Sequence, residues 1–402
     1  MQSYKKFEIV PFISAFFIFM LLNPFYFWGL NFSHLYRIVL TLSVCYIFYC
    51  NRDRNLNIGK HVLYIIATFC YVFFGALQGR ASVIGTISAS LCFFYIFIFT
   101  AKDSFRLKVL DYFISIFAIM CGIGAIFWML YLYGVKFPLG MIYCPTQPDR
   151  SYFVYPFFIV EDYSFGDADV FRYYGPFNEP GVVGTIATLL LVCKNFEIKN
   201  WRVLTIFISG LLSLSLFFYI VVVIYLCFYS IFIKRNILYM ILLIGGVFLF
   251  YNNTKDNYLI YNTIWGRLEW DSTEKSISGD NRSNEQVDKY YDTIKGTTEY
   301  YWGTTDSNWY QTVANGESSS YKNVICIHGA ICVFFYIFYL LHIGYVNRRS
   351  LFAFILYSAV VIANFYQRSS IFSLPILFLY YNMPQCISDY KSSQLLVNKR
   401  RL

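Results

Sequence analysis

Between Val203 and Ile233 the chain carries no charged residue. A helix crossing a bilayer needs about 20 mostly apolar residues. This run is therefore either one long tilted helix or two short ones turning at Ser209–Ser215. It belongs to a series, with further apolar runs at 8–30, 35–50, 61–78, 82–100, 110–133, 180–193, 236–251, 324–346, 350–366 and 369–383. Hydrophobic residues make up 58% of the 402 and charged residues 14%, against about 45–50% and 25% in a soluble domain. Aromatic residues alone reach 22%. A water-soluble globule could not hide that much apolar surface, so the chain is expected to lie in a membrane.

Charge placement decides how the Val203–Ile233 run is read. Short cytoplasmic loops are enriched in Lys and Arg. If the run splits in two, the basic segments 1–6, 51–60, 101–108, 194–202, 234–235 and 347–349 and the tail 384–402 all fall on one side. If it is one helix, the later segments change sides. The split predicts an all-α polytopic integral membrane protein with about 12 transmembrane helices and both termini cytoplasmic. Residues 1–133 would hold the first five helices, 180–251 the next four and 324–383 the last three, ahead of a basic cytoplasmic tail at 384–402. The segments 134–179 and 252–323 become two long outer loops. The first apolar run is too long for a signal peptide and lacks a cleavage pattern, so it is read as retained.

The net charge of +9 is scattered over short inner loops, which argues against nucleic acid as a partner. The 11 cysteines form no CxxC pair and lie mostly in apolar runs, Cys144 excepted. Neither a disulfide framework nor a metal site is indicated, and no cofactor is expected. The middles of the apolar runs are free of charge: Glu8, Arg37 and Asp111 lie near their ends, where they can reach the interface, and His342 reads as a packing residue. A coupled transporter would need an ionisable residue deep in the bundle.

The outer loops hold the chemistry. The first ends in FRYYGPFNEPGVVG, where Asn178 or Glu179 is placed to cap a helix beginning at Pro180. Gly175 and Pro176 form a turn presenting Arg172 near that helix start, which attracts phosphate through its free N–H groups and dipole. The same segment also fits an ordinary capped helix beside a headgroup-binding arginine. The second loop is too long for a plain connector. Val287, Tyr290, Tyr291 and Ile294 fall at helical spacing, with Glu285 and Lys289 as an i,i+4 pair, predicting an amphipathic helix with Arg282 at its start. Arg267 lies between Trp265 and Trp270, and Trp302 and Trp309 follow. These rings suit either sugar stacking or an interfacial aromatic belt. His328 lies beside Gly329 at the outer end of its span, and Arg368 sits in a very short turn between the last two spans.

Taken in order, these residues resemble the O-antigen polymerases of the Wzy type and, more distantly, the O-antigen ligases. The likeness covers the expected topology and four local motifs. Arg172-x-x-Gly175-x-Phe177-Asn178-Glu179-Pro180-Gly181 is similar to the family's arginine–glycine–phenylalanine–asparagine motif before a span. Leu211–Ser215 looks like its serine-containing turn, without the arginine and glycine that often follow. Arg267, Arg282 and Tyr301-Trp302-Gly303 are similar to its loop-two pattern, and Ser320-Tyr321 to its re-entry into the membrane. Ligases usually carry a histidine just before the equivalent of Ser320, where this chain reads Glu317-Ser318-Ser319. That departure favours a polymerase.

The resemblance implies a metal-independent, inverting glycosyltransferase at the periplasmic face of a bacterial inner membrane. It would join undecaprenyl-diphosphate-linked oligosaccharide repeat units into lipopolysaccharide O-antigen, alongside a chain-length regulator protein. Arg172, Arg282 and Arg368 are the expected catalytic arginines gripping the departing diphosphate. Arg267, Gly175, Asn178, Glu179, Ser320, Tyr321 and His328 are the expected substrate-binding residues. Glu161, Asp162, Asp167, Asp169 and Glu179 are all available as general base. An O-antigen ligase, a capsule or exopolysaccharide polymerase and a lipid-linked oligosaccharide flippase are the alternatives.

Overall fold

The structure is a computed structural model. It describes residues 7–28, 33–53, 58–77, 83–144, 147–162, 172–230, 237–257, 260–271, 276–277, 285–304, 320–348, 350–369 and 371–399. Within these the chain is predominantly helical. Helices α1 (Ile9–Met20), α2 (Ser33–Cys50), α3 (Val62–Leu77), α4 (Val83–Ser90), α5 (Ile96–Thr100) and α6 (Asp103–Leu132) come first. After a segment of strands follow α7 (Pro180–Cys193), α8 (Trp201–Leu212), α9 (Leu216–Phe228) and α10 (Ile237–Thr254). Then come α11 (Glu285–Ile294), α12 (Thr298–Trp302), α13 (Tyr321–His328), α14 (Ala330–Val346), α15 (Leu351–Gln367) and α16 (Leu374–Lys399).

The centre of the bundle is α7. Every residue of it except Val182 is buried, as expected of a helix that is apolar all round. It packs against α8, α9 and α16, and one continuous apolar core joins it to α1, α6, α14 and α15.

Helix length alone singles out α6. At 30 residues it extends about 45 Å, and it is the one described helix both long and apolar enough to cross a bilayer unaided. The 324–346 run, expected as one helix, is broken: α13 and α14 meet at 119°. Gly329 makes the break, at φ +83, because any Cβ there would collide with the backbone of Tyr301 and Trp302. The 82–100 run is likewise interrupted by a 3-10 turn at Leu91–Tyr95. The last helix, expected to end near 383, continues through Pro384 to Lys399.

The Val203–Ile233 run does split, into α8 and α9. Leu214 has φ +47, which no helix can continue through, and Ser215 takes an extended conformation ahead of α9.

The all-α expectation needs correction in the first loop. Strands β1 (Gly140–Cys144), β2 (Gln147–Tyr155) and β3 (Phe158–Glu161) form an antiparallel meander, with Tyr152 opposite Glu161 and Val154 opposite Ile159. Aromatic and β-branched residues suit a pleated surface, and Phe157 at φ +64 makes the turn between the last two strands. Two shorter strands, β4 (Trp270–Asp271) and β5 (Ser276–Ile277), pair in the second loop. The amphipathic helix expected there is α11. It buries Val287, Tyr291 and Ile294 against α13, with Glu285 and Lys289 paired at 2.6 Å.

Two charges are placed differently from their sequence reading. Asp111 does not reach outward but lies 3.1 Å from Lys194 and 3.3 Å from Arg202, which ties α6 to the α7–α8 connection. Arg106, expected in an inner loop, is 4% exposed. Its guanidinium donates to Asn382, to the Ala101 carbonyl, to Asp103 and to Gln385 and lies over the Tyr381 ring.

Candidate active site

Residues 172–179 lead into α7 over a firm support. The Gly175 carbonyl accepts from the Ile159 N–H at 3.2 Å and the Pro176 carbonyl from the Phe25 N–H at 2.9 Å. The Asn178 carbonyl accepts from the Tyr152 hydroxyl at 3.1 Å. The meander and the 3-10 turn Phe25–Phe27 that follows α1 therefore hold this strip from two sides. Gly175 takes φ +55 with Val183 pressed against it, a position that favours glycine on both counts.

Of the two caps that the sequence allowed, Glu179 occupies the N-cap position, with φ −140 and ψ 137 and Pro180 at the first helical residue. Its carboxylate makes no capping bond. It accepts instead from Arg368 Nη2 at 2.5 Å. Arg368 follows α15 and its own N–H bonds to the Asn364 carbonyl, so the guanidinium is carried by a rigid helix end. It lies over the first turn of α7, where a Cβ on Gly181 would collide with it. Among the described residues Glu179 is its one hydrogen-bond partner through the side chain, which leaves most of its five donors for something else.

One turn further along α7, a Cβ on Gly184 would meet Ser215 and Ser213. Residues three apart share a helix face, so Arg368 and the α8–α9 break lie on one face of α7. Arg172 joins them there. The last carbonyls of a helix lack intrahelical donors, and each one here finds a substitute. The Ser213 hydroxyl serves Gly210, the Tyr219 hydroxyl serves Leu211 and the Tyr173 N–H serves Leu212. Arg172 donates from Nε to the Ser213 carbonyl at 3.2 Å and from Nη2 to the Leu214 carbonyl at 3.3 Å. The arginine motif and the serine-containing turn, read separately in the sequence, are one hydrogen-bonded unit. Arg172 positions this unit.

The meander gives the candidate base Glu161 partners that the sequence did not single out. The Tyr174 hydroxyl donates to Glu161 at 3.2 Å, and Arg150 Nε lies 3.5 Å from the same carboxylate. Burial works against the Arg150 cation, yet Glu161, Tyr152 and Glu179 outweigh it and hold its pKa above the usual arginine value. No sequence pattern pairs Arg150 with Glu161; the β2–β3 register, with Tyr152 opposite Glu161, brings them together.

The remaining expected residues divide. Ser320 caps α13, its hydroxyl accepting from the Asn323 N–H at 3.3 Å. Tyr321 stacks on Tyr366 with ring centres 5.9 Å apart, two residues from Arg368. His328 ends α13 and packs on Tyr71 at 4.5 Å. Arg267 lies in a 3-10 turn at Gly266–Leu268, and its side chain, like the whole of Arg282, falls outside the described residues. So do Asp167, Asp169 and Trp309. Two of the loop-two tryptophans are packing residues: Trp302 lies 4.3 Å from Phe74, and Trp265 donates to Thr254.

An apolar groove of about 610 Å³ runs between α6 and α8, lined by Ala118, Gly122, Ala125, Thr205, Ser209 and Leu212 among others. Its Leu212 end adjoins the break that Arg172 caps. Among the described residues no group of three or more His, Cys, Asp or Glu could hold a metal ion. No family model, no curated protein and no solved structure matches the chain.

Proposed function

We propose that this chain is a polytopic membrane glycosyltransferase of the O-antigen polymerase type, acting on polyprenyl-diphosphate-linked oligosaccharides at the outer face of a bacterial inner membrane. The observation that carries the reading is Arg368, fixed by Glu179 over Gly181 at the first turn of the buried helix α7. A guanidinium at the positive end of a helix is a seat for phosphate oxygens. The motif resemblance and the charge asymmetry of the loops supply the remainder of the argument, including the twelve-span topology with its two outer loops.

In this reading the diphosphate of the growing chain rests on Arg368 and the start of α7. Its prenyl tail follows the α6–α8 groove, which begins beside the same break. An acceptor hydroxyl attacks the anomeric carbon, the bond from that carbon to the diphosphate oxygen breaks, and a carboxylate takes the hydroxyl proton. Negative charge grows on the departing diphosphate, and the fixed guanidinium stabilises it without having to reorganise. Glu179 lies on the seat itself, and Glu161 and Asp162 are the other described candidates for this carboxylate. Arg172 acts by holding the break and so the groove in register. Arg282 is proposed as a further diphosphate ligand from the motif alone.

The test is the glycan ladder of a knockout complemented with variants. Core bearing a single repeat unit in the knockout, and in Arg368→Ala, supports a polymerase. Bare core indicates a ligase or flippase, and full-length polymer from both Arg368→Ala and Arg282→Ala overturns the reading.

A further inference from the structure

Four residues beyond Arg368, Phe372 forms part of a second, smaller pocket of about 250 Å³. Its walls are Leu21 at the end of α1, Arg37 and Thr41 from α2, Tyr95, and the residues Ser373 and Leu374 where α16 begins. No acidic side chain lines it, and Arg37 has no ion-pair or hydrogen-bond partner among the described residues. Thr41 is only 5% exposed, one turn from Arg37 on the same helix face, and its hydroxyl also lacks a partner among the described residues. A half-buried cation against apolar walls is costly unless an anion meets it. The pocket has the donors to hold one: a guanidinium, the hydroxyls of Thr41 and Ser373, and the positive end of the 26-residue α16.

A volume of about 250 Å³ has ample room for a phosphate group. It lies at the same end of the bundle as the α7 seat, across the short turn 368–373. Phe372 packs on Tyr71, which in turn packs on His328, so an aromatic wall borders the pocket. We propose that the Arg37 pocket binds the phosphate end of a second membrane lipid, as an enzyme joining two lipid-linked substrates requires. This rests on the polymerase reading for the identity of the lipid, and on the pocket alone for the phosphate.

The test is native mass spectrometry of the full chain released from nanodiscs and titrated with polyprenyl diphosphate, with phosphatidylglycerol and inorganic pyrophosphate as competitors. Wild type is expected to hold two equivalents of polyprenyl diphosphate, and Arg37→Gln to weaken one by about tenfold, the loss expected for a charge-assisted hydrogen bond. Thr41→Val should weaken the same equivalent, and Arg37→Lys should retain it in part. Displacement of that equivalent by phosphatidylglycerol assigns the seat to ordinary phospholipid. Displacement by pyrophosphate alone assigns it to free phosphate, and resistance to both assigns it to the carrier lipid; each supports a phosphate seat. A single equivalent in wild type, or two undiminished equivalents in Arg37→Gln and Thr41→Val, overturns it. If Arg368→Gln keeps both equivalents while Arg37→Gln loses one, the α7 seat fails and this pocket stands.

Discussion

Arg368 Nη2 and Glu179 Oε2 lie 2.5 Å apart although 189 residues separate them in the chain. The pair joins the turn after α15 to the cap of α7, and Gly181 leaves room for it. The carboxylate that caps α7 in position is thereby turned into a clamp for an arginine. That relationship makes the start of the central helix a candidate anion seat instead of a plain helix end.

On the polymerase reading, Gly181→Ala is expected to displace the Arg368 guanidinium and cut polymer sharply, at no more than about 1 kcal/mol in stability, because only the end of a flexible side chain must move. In an Arg368→Ala background the same methyl should cost much less, since its clash is gone. A double-mutant cycle on thermal stability measures this coupling; additive effects would show that the two residues do not meet.

Arg172→Ala leaves the Ser213 and Leu214 carbonyls without these donors. Each unsatisfied buried carbonyl costs about 1–3 kcal/mol, so both stability and polymer should fall together. Arg172→Lys should recover only part, because an ammonium cannot reproduce the planar fork. Loss of polymer at unchanged stability would place Arg172 on substrate instead.

Glu161→Gln and Glu179→Gln test two of the three described candidates for the base, Asp162 being the third. Removal of the base should slow transfer by about 10²–10⁴-fold with little change in substrate affinity. Removal of the clamp at Glu179 should weaken binding as well. Wild-type turnover in both variants would exclude either residue as the base.

Arg106→Ala is expected to lower stability by about 1–3 kcal/mol, the usual cost of leaving a buried acceptor such as Asn382 without its donor. Its side chain is 5% exposed beside Asp103, and its acceptors on α16 would be left unmatched. Chemical denaturation in detergent micelles measures the loss. Activity per folded molecule should stay near wild type.

Tyr290 offers a pH signature in the second loop. Its phenol donates to Glu299 at 2.9 Å and shares a 2.7 Å hydrogen bond with Thr304. Burial first, and the Glu299 carboxylate, push its pKa up to about 12 against a bond from Thr304 that pulls it down. The unfolded chain ionises near 10, so above that pH it loses a proton that the folded chain keeps. Stability from this group is complete below pH 10 and falls as pH rises towards 12. Tyr290→Phe should flatten that alkaline loss, and identical profiles for the two proteins would refute it.

The elements legible in the sequence were those governed by local pattern. The apolar runs gave α2, α3, α7, α10 and α15 nearly to their ends, whereas the 8–30 run yields a helix only over Ile9–Met20 before a 3-10 turn at Phe25–Phe27. Val287, Tyr291 and Ile294 announced the amphipathic face of α11, and the positive-inside argument correctly split Val203–Ile233. The meander is not legible in the sequence because its strands are short and sit between turns, where period-two alternation is easily lost in an aromatic-rich chain. The bend at Gly329 was hidden because hydropathy is blind to φ.

The sequence by itself determined that this chain carries far more apolar residues than a soluble domain, where several of its helices lie, and which arginines stand near helix starts. Hydropathy, charge placement and capping chemistry are local, so one strand of text contains them. Only the tertiary structure decided that Arg172 closes the α8–α9 break, that Glu179 holds Arg368, and that Arg37 faces a pocket with no counter-charge. Each joins groups far apart in the chain. Their meeting depends on helices packing closely enough, at Gly181 and Gly184, for a side chain to lie against backbone.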